Sequence, residues 1–244
     1  MHPDYQRLIL TPARLARLLT LLLVAVFSMH GLALFVAHGL GYPVALGFVP
    51  LFHVDFENNV PTFVAFGLLL CSALTCAWTS ALESARPRHR RTWAILSLAF
   101  LFLAADEALS LHEQLGDLMH ARFDGLGLPL FAWVLPYGLA VLLAGAYLLR
   151  WFLELERPMQ ASLLMSGGIF LFGAIGLEFV ASGLYTSLPE DREVYRTLSI
   201  DLLATVEEAC EFIGVSLFLH TMVKRLGGVS FRALGTEAPA LARQ

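Results

Sequence analysis

The sequence predicts an all-α fold, a polytopic membrane bundle of six transmembrane helices with both termini in the cytoplasm. Hydrophobic residues make up 57% of the 244-residue chain and charged residues only 15%, whereas soluble domains carry about 25% charged residues. The mean hydropathy is +0.69. Six stretches reach the length of about 20 apolar residues that a helix needs to cross the hydrocarbon core. Basic residues are concentrated in alternate connections between these stretches.

Each predicted helix is an apolar stretch bounded by polar or helix-breaking residues. The six stretches are roughly 18–40, 60–82, 92–113, 129–151, 161–186 and 198–222. Arginines precede the first, as in a signal peptide, but its apolar run is too long for one, which favours an uncleaved anchor. Asn59 and Pro61 are typical of the cap and first turn of the second helix. Glycines in the fifth favour close helix packing in lipid. We predict one domain over residues 1–244, with a short cytoplasmic tail at 223–244.

The distribution of basic residues predicts the orientation, because cytoplasmic loops of membrane proteins are enriched in Lys and Arg. With the amino terminus placed inside, thirteen of the sixteen basic residues fall in cytoplasmic segments. The outer connections then hold only Arg122, Arg192 and Arg196. Both termini are therefore predicted to be cytoplasmic. The chain has no basic arm and no zinc-finger spacing, which argues against a nucleic-acid partner.

Two acidic clusters lie inside stretches that are otherwise apolar enough to cross a membrane, one in the third predicted helix and one in the sixth. A carboxylate at membrane depth costs at least a few kcal/mol unless it meets a cavity, a partner charge or an ion. The predicted orientation places both clusters in the outer half of the bilayer, beside an acid of the fifth helix and two acids of the loop before the second. The residues concerned are Asp106, Glu107, His112, Glu113, Glu178, Glu207, Glu208, Glu211, Asp55 and Glu57.

These acids predict a metal site, since no Lys or Arg lies in the membrane-depth stretches of the helices that carry them. Crowded carboxylates in a low-dielectric medium must take up protons, share water or bind cations. Glu and His on facing helices are typical ligands of metal sites in helix bundles. We predict a divalent metal, zinc or iron, with the ligands Asp106, His112, Glu113, Glu178, Glu207, Glu208 and Glu211. Asp55 and Glu57 are expected to support these ligands. The candidate catalytic groups are Glu107, Ser110 and Tyr185.

Several of these residues also allow interpretations without a metal. Asp201 can serve as the cap of the sixth helix, and Glu113 can lie at the water interface. Asp55 and Glu57 can simply hold the loop before the second helix. The acids with the fewest such alternatives can still be protonated and hydrogen-bonded between helices. They are Glu107, Glu178, Glu208 and Glu211.

The histidines require the same comparison of alternatives. His30 and His38 lie eight residues apart on the first predicted helix, about 12 Å along its axis, which is too far for them to share one metal. They are interpreted as packed, hydrogen-bonded histidines. His53 and His120 fall on the outer side and can join the acids. His112 is the first choice among the histidines as a ligand, although packing explains it equally well.

Three blocks of the sequence resemble a group of uncharacterised bacterial multi-pass membrane proteins. The blocks are D-x-E-x-N-x-P-T over residues 55–62, D-E-x4-H-E over residues 106–113 and E-E-x2-E over residues 207–211. The resemblance spans the second to the sixth predicted helix. It implies a fold type and no particular reaction. We therefore expect a multi-pass protein of the bacterial inner membrane.

Three functions are compatible with the sequence. The first is a metal-dependent membrane enzyme that acts on a lipid or another apolar small molecule, with a bound metal that polarises an ester or amide or binds oxygen. The second is a proton- or cation-coupled transporter, since two sets of three helices with opposite orientation suggest an inverted repeat. The third is a non-catalytic membrane subunit or scaffold. The oligomeric state stays open.

Overall fold

The computed structural model describes residues 7–123, 131–186 and 197–232. Within these ranges the chain is almost entirely helical, so the predicted all-α fold is confirmed. The helices are α1 (Pro12–Leu34), α2 (Phe48–Phe52), α3 (Val60–Leu82), α4 (Pro87–Leu109), α5 (Leu111–Arg122), α6 (Val134–Leu153), α7 (Arg157–Leu171), α8 (Glu178–Thr186) and α9 (Leu198–Arg225). Two strands, β1 (Arg7–Leu10) and β2 (Val229–Arg232), flank them. A π-helical segment, Phe35–Gly39, follows α1, and another, Phe172–Leu177, joins α7 to α8.

Five described segments are long and apolar enough to cross a membrane, and they overlap the first five predicted spans. They are Pro12–Gly39, Val60–Leu82, Pro87–Leu109, Val134–Leu153 and Arg157–Leu184. Helix α9 has 28 residues, which corresponds to about 42 Å at 1.5 Å per residue. It is therefore long enough to cross, and it differs from the other five by carrying four acids, more than any of them. The sixth crossing and the orientation stay predictions.

Helix α9 lies at the centre of the bundle and packs against α1, α3, α7 and α8. Its side chains Phe212, Val215 and Leu219 belong to the main hydrophobic core. Large apolar side chains that stay exposed are numerous on α1, α4 and α6, for example Leu21 and Leu142. The outer helices thus present an apolar surface, as lipid contact requires, while the middle of α9 is enclosed.

Helix α7, the π-helical segment Phe172–Leu177 and α8 form one continuous arm. Two glycines allow the close approach of α9 to this arm. A Cβ atom on Gly214 would lie 2.7 Å from the Cβ and the backbone nitrogen of Phe170. A Cβ atom on Gly173, in the π-helical segment, would lie 2.7 Å from the carbonyl oxygen of Glu207. Small residues at such contacts let helix backbones approach each other in lipid. The expected close packing of the fifth predicted span therefore depends on Gly173, whereas a Cβ on Gly167 or Gly168 would meet no atom within 4 Å.

The predicted third helix, 92–113, is not continuous, because the chain breaks at Ser110. Ser110 adopts φ 49° and ψ 46°, the left-handed conformation, and separates α4 from α5. Side-chain oxygens near the start of a helix satisfy its free N–H groups, and here Asp106 accepts a hydrogen bond from the backbone N–H of His112 at 2.8 Å. The residues before and after Ser110 therefore belong to two different helices and do not share one continuous helical face.

The carboxyl-terminal segment is more structured than the predicted tail at 223–244. Helix α9 continues to Arg225, and two glycines with positive φ, Gly227 and Gly228, turn the chain back. Strand β2 then pairs antiparallel with β1, with Leu10 opposite Val229. Both ends of the described chain therefore meet on one side of the bundle.

Candidate functional site

A cavity of about 660 Å³ lies in the interior of the bundle, and its wall is acidic. The loop before α3 contributes to it, together with α4, α5, α6, α8, α9 and the second π-helical segment. Ten carboxyl groups line it, those of Asp55, Glu57, Asp106, Glu107, Glu113, Asp117, Glu178, Glu207, Glu208 and Glu211. His112 and His120 also line it, and no Lys or Arg occurs among its described lining residues. The structure thus brings all the predicted metal ligands and both supporting acids together.

Asp106 is buried in the wall of this cavity, with 7% of its surface exposed. Its Oδ1 accepts hydrogen bonds from the backbone N–H of His112 at 2.8 Å and from the hydroxyl of Tyr137 at 3.0 Å. Its Oδ2 lies 3.3 Å from Nδ1 of His112. With three donors around it, Asp106 orients the imidazole and caps the first turn of α5. Carboxylates in this position relative to a histidine are typical partners of metal-ligating imidazoles.

Three ligand atoms converge next to Asp106. One atom each from Glu57, His112 and Glu113 can lie within 4.8 Å of the other two. The Nε2 atom of His112 is 4.0 Å from Oε1 of Glu57. Because Nδ1 of His112 faces Asp106, Nε2 is left to face the two glutamates, as in sites where a carboxylate holds a metal-ligating histidine. Glu57, expected from the sequence to support the ligands, thus belongs to the group of three whose ligand atoms lie together, whereas Asp106 contacts the other side of the imidazole.

In this part of the cavity, one histidine, His112, interacts with three acidic residues. Burial disfavours the imidazolium of His112, but the hydrogen bond and the charge of Asp106, with the charges of Glu57 and Glu113, outweigh it and raise its pKa to about 9. Burial raises the pKa of Glu57 above its usual value, although the nearby His112 opposes this. The imidazolium is thus the local countercharge for the carboxylates. Metal binding requires a neutral imidazole, so a metal would replace this proton.

A second group of acids occupies the deeper wall. Glu107 lies within electrostatic range of Glu57 and His112. It is also close enough to Glu208 and Glu211 to interact with both. Glu107 therefore lies between the glutamates of α9 and the convergent triplet, and the acids form one connected set.

Glu178 and Glu207 form a carboxyl pair across two helices. Their side chains are hydrogen-bonded to each other. An ionised carboxylate can only accept hydrogen bonds, so a bond between two carboxyl groups requires a proton on one of them. A contact of this kind is stabilised when one of the two carboxyl groups is protonated. It fits the alternative in which buried acids hold helices together, at least at this one contact.

Of the two other candidate catalytic groups, the structure describes the side chain of Ser110 but not that of Tyr185. The hydroxyl of Ser110 hydrogen-bonds to Glu57, so it helps to hold this carboxylate, and Ser110 is not among the described residues that line the cavity. The side chain of Tyr185 lies outside the described part of the structure, although its backbone belongs to α8. Glu107 is the remaining candidate, and it lines the cavity.

A cluster of histidines around Asp201 was missed by the sequence analysis. Asp201 was interpreted as a helix cap, yet its residue is only 2% exposed. Its Oδ2 is 2.6 Å from Nε2 of His38, and its Oδ1 is 3.5 Å from Nε2 of His53. The ring of His53 packs edge-on against that of His30. One signal was present, since Asp201 precedes Glu208 by seven residues, which is two helical turns on nearly the same face.

Hydrogen bonds fix the protonation of two of these rings. The N–H of Val54 donates to Nδ1 of His30 at 3.2 Å, and the N–H of Asp55 donates to Nδ1 of His53 at 3.3 Å. Nδ1 is thus an acceptor in both rings, and Nε2 carries the hydrogen. In His30 this Nε2 lies 2.8 Å from the hydroxyl of Thr205. The cluster therefore attaches the loop that carries Glu57 to α1 and α9.

Comparison with known proteins gives one match. The model of a family described as a domain of unknown function (DUF8692) covers residues 15–226, which include every residue of the cavity. No curated protein and no solved structure matches the chain. This agrees with the expectation of an uncharacterised group. With most of its length matched, the chain belongs to the DUF8692 family.

Proposed function

We propose that this protein crosses the membrane six times, with both termini in the cytoplasm of a bacterial cell. The pairing of β1 with β2 supports this number, because the two strands can pair only on the same side of the membrane. Five crossings would place them on opposite sides. Helix α9 supplies the sixth, since its length is sufficient and its acids face the interior. The excess of basic residues on that side supports a cytoplasmic location.

The cavity binds a divalent metal, zinc or iron, through Glu57, His112 and Glu113. The observation that carries this proposal is the convergence of these three ligand atoms within 4.8 Å, with Asp106 behind the imidazole. Two carboxylates and one histidine are common ligands for both metals. The deeper acids of α8 and α9, which we first expected to be ligands, then surround the metal and its substrate.

The function that this site supports best is a metal-dependent membrane enzyme whose substrate is a lipid or another apolar small molecule. A metal held by three protein ligands keeps a position open for water or substrate, and it can polarise a carbonyl or lower the pKa of water. Glu107 interacts electrostatically with Glu57 and His112 of the triplet, and it would accept the proton of that water. Asp106 keeps the imidazole of His112 in position throughout. The depth of the cavity suits a substrate that arrives from the bilayer.

Elemental analysis of the detergent-purified protein tests the metal site. After incubation with zinc or ferrous iron and removal of unbound metal, the wild type should retain about one metal ion per chain. Glu57→Gln and His112→Gln should lose it, because each removes one of three ligands. Glu154→Gln is the control, since this half-exposed acid pairs with Arg88 and His89 away from the cavity. A wild type that binds no metal and stays folded would overturn the proposal.

One observation favours a proton- or cation-coupled transporter as a second candidate. Helix α1 of the first half packs on α9, the last helix of the second half, and α6, the first span of the second half, packs on α4. This exchange of partners is what a two-fold inverted repeat produces. The carboxyl pair of Glu178 and Glu207 provides a group whose proton could couple to transport. Proton flux into proteoliposomes should then fall in Glu178→Gln, and unchanged flux would exclude this candidate.

A further inference from the structure

Apolar side chains form the rest of the cavity wall, beside and between its acids. Leu103 of α4, Val141 of α6 and Ile175 of the second π-helical segment belong to this apolar part of the wall, with Phe170 and Leu171 beside them. Its volume of about 660 Å³ falls within the range of about 300–1,000 Å³ that is usual for small-molecule sites. A ligand that fills it must therefore have both an apolar part and a polar end.

Helix α6 packs mainly on α4 and makes few contacts with α7, α8 and the π-helical segment between them, which leaves a gap on this side of the cavity. At one end, the N–H of Phe131, just before α6, donates to the hydroxyl of Ser182 on α8 at 3.2 Å. At the other end, Trp151 of α6 packs in a cluster that includes Met159 of α7. Between these two contacts, Val141 and Ala174 line the cavity from opposite sides and are partly exposed. Because both flanking segments are apolar enough to span a membrane, an opening between them would face the apolar layer rather than water.

The charge of the deeper wall selects the polar end of the ligand. Glu107, Glu208 and Glu211 interact with one another electrostatically, and no Lys or Arg occurs among the described lining residues. A primary ammonium group offers three N–H donors to three such acceptors. An anionic headgroup would be repelled. A neutral alcohol would leave the acids without a countercharge.

We infer that the cavity binds an amphiphile with a protonated primary amine, which enters sideways from the bilayer between α6 and the π-helical segment Phe172–Leu177. The amine is held by Glu107, Glu208 and Glu211, and the alkyl chain lies against the apolar part of the wall. This inference names the substrate class of the proposed function, and it rests on that proposal. It places the polar end of the ligand beside the convergent triplet, since Glu107 lies between the two groups.

Binding of radiolabelled dodecylamine tests the inference, with the protein in phosphatidylcholine nanodiscs at pH 7 and after metal loading. We expect saturable binding that excess unlabelled dodecylamine displaces and excess dodecanol does not. The double variant Glu208→Gln, Glu211→Gln should bind at least about tenfold more weakly, because hydrogen bonds to charged groups are lost. Ala174→Trp should block the gap. Leu164→Trp is its control, because Leu164 is exposed on α7 and does not line the cavity.

Three results would overturn the inference: no saturable binding of dodecylamine, equal competition by dodecanol, or wild-type affinity in the double glutamine variant. Wild-type binding in Ala174→Trp would overturn the lateral route, and Val141→Trp repeats this test from the opposite side of the gap should Ala174→Trp fail to fold. Metal content is measured in every sample. A protein that keeps its metal but binds no amine leaves the metal site intact and removes this inference. A protein that binds the amine but retains no metal would support this inference and overturn the metal site of the proposed function.

Discussion

Asp106 and His112 are joined twice, through the backbone N–H of His112 at 2.8 Å and through its Nδ1 at 3.3 Å. The two bonds come from the same turn of chain, so the helix break at Ser110 and the direction of the imidazole depend on one carboxylate. Structure and proposed chemistry are therefore coupled at this residue.

Asp106→Asn should weaken metal binding by about 10–100-fold, the usual effect of replacing the partner of a metal-ligating histidine. The amide can still accept a bond from the backbone of His112, but it no longer fixes the tautomer of the ring. Zinc affinity is measured by competition with a chelator of known affinity. Asp117→Asn is the control, because Asp117 lines the same cavity from an exposed position on α5. Equal zinc affinities in the two variants would contradict the orienting function.

The stability of the metal-free protein should fall as the pH rises from about 6.5 to about 9. His112 has a folded-state pKa of about 9 against an ordinary value of 6.5, so its contribution is fully present below 6.5 and is lost as the pH passes through 9. The pKa of Glu57 is also raised by folding. Glu57 therefore also lowers the stability as the pH rises, beginning at a lower pH than His112 because the ordinary pKa of a glutamate is lower. Thermal unfolding in detergent with a chelator present measures the effect. His112→Gln should flatten this alkaline part of the profile, and an unchanged slope would refute the assignment.

Gly214→Ala should destabilise the protein by about 1–3 kcal/mol or more, the usual cost of overpacking a core. The new Cβ would meet backbone atoms of Phe170 at 2.7–2.8 Å, and backbone cannot move aside without displacing α7. Gly168→Ala is the matched control on α7, where a Cβ meets no atom within 4 Å. The midpoints of thermal unfolding of the two variants, in the same detergent, give the comparison. A midpoint for Gly214→Ala equal to that of the control would contradict the close contact.

An engineered disulfide should form between Ile9→Cys and Ser230→Cys in a background without the native cysteines. These positions are directly opposite each other in the ribbon, where Cα atoms lie about 4.5–5.5 Å apart, a separation that a disulfide can span. The pair Arg7→Cys with Ser230→Cys is out of register and should form far less. Gel mobility without reductant measures the yield, and equal yields would contradict the register.

Labelling from one side of the membrane tests the number of crossings. In the same background, Ser230→Cys and Arg86→Cys should react with an impermeant maleimide from the same side, and Asp117→Cys from the opposite side. This pattern requires α9 to cross, because Ser230 follows it directly. Labelling of Ser230→Cys from the side of Asp117→Cys would reject six crossings.

Much of the helical framework could be predicted, because long apolar stretches are a strong signal that needs no tertiary information. The convergence of acids could be predicted as well, since alternating helix directions place late residues of one span beside early residues of the next. The break at Ser110 could not, because a serine adopts positive φ only where its surroundings require it, here with Asp106 and His112 bonded across it.

The histidines around Asp201 show a second limit. His38 and His53 come from two different segments, 163 and 148 residues away along the chain, and each approaches Asp201 through Nε2. The spacing of Asp201 and Glu208 indicates that Asp201 lies on the same face of the helix, but no local pattern identifies His38 and His53 as its partners. The pairing of β1 with β2 could not be predicted for a simpler reason. Each strand has four residues, which are too few to show a clear alternating pattern.

The pairing of β1 with β2 closes the described chain into a ring. Residues 7 and 232 lie opposite each other, so a short linker between them would add little strain. New ends could then be opened in the turn between α3 and α4, on the same side of the bundle, without interrupting a helix. Such a circular permutant should keep the acidic cavity, since none of its lining residues lies in that turn. The order in which the helices are synthesised would change, while their arrangement would not.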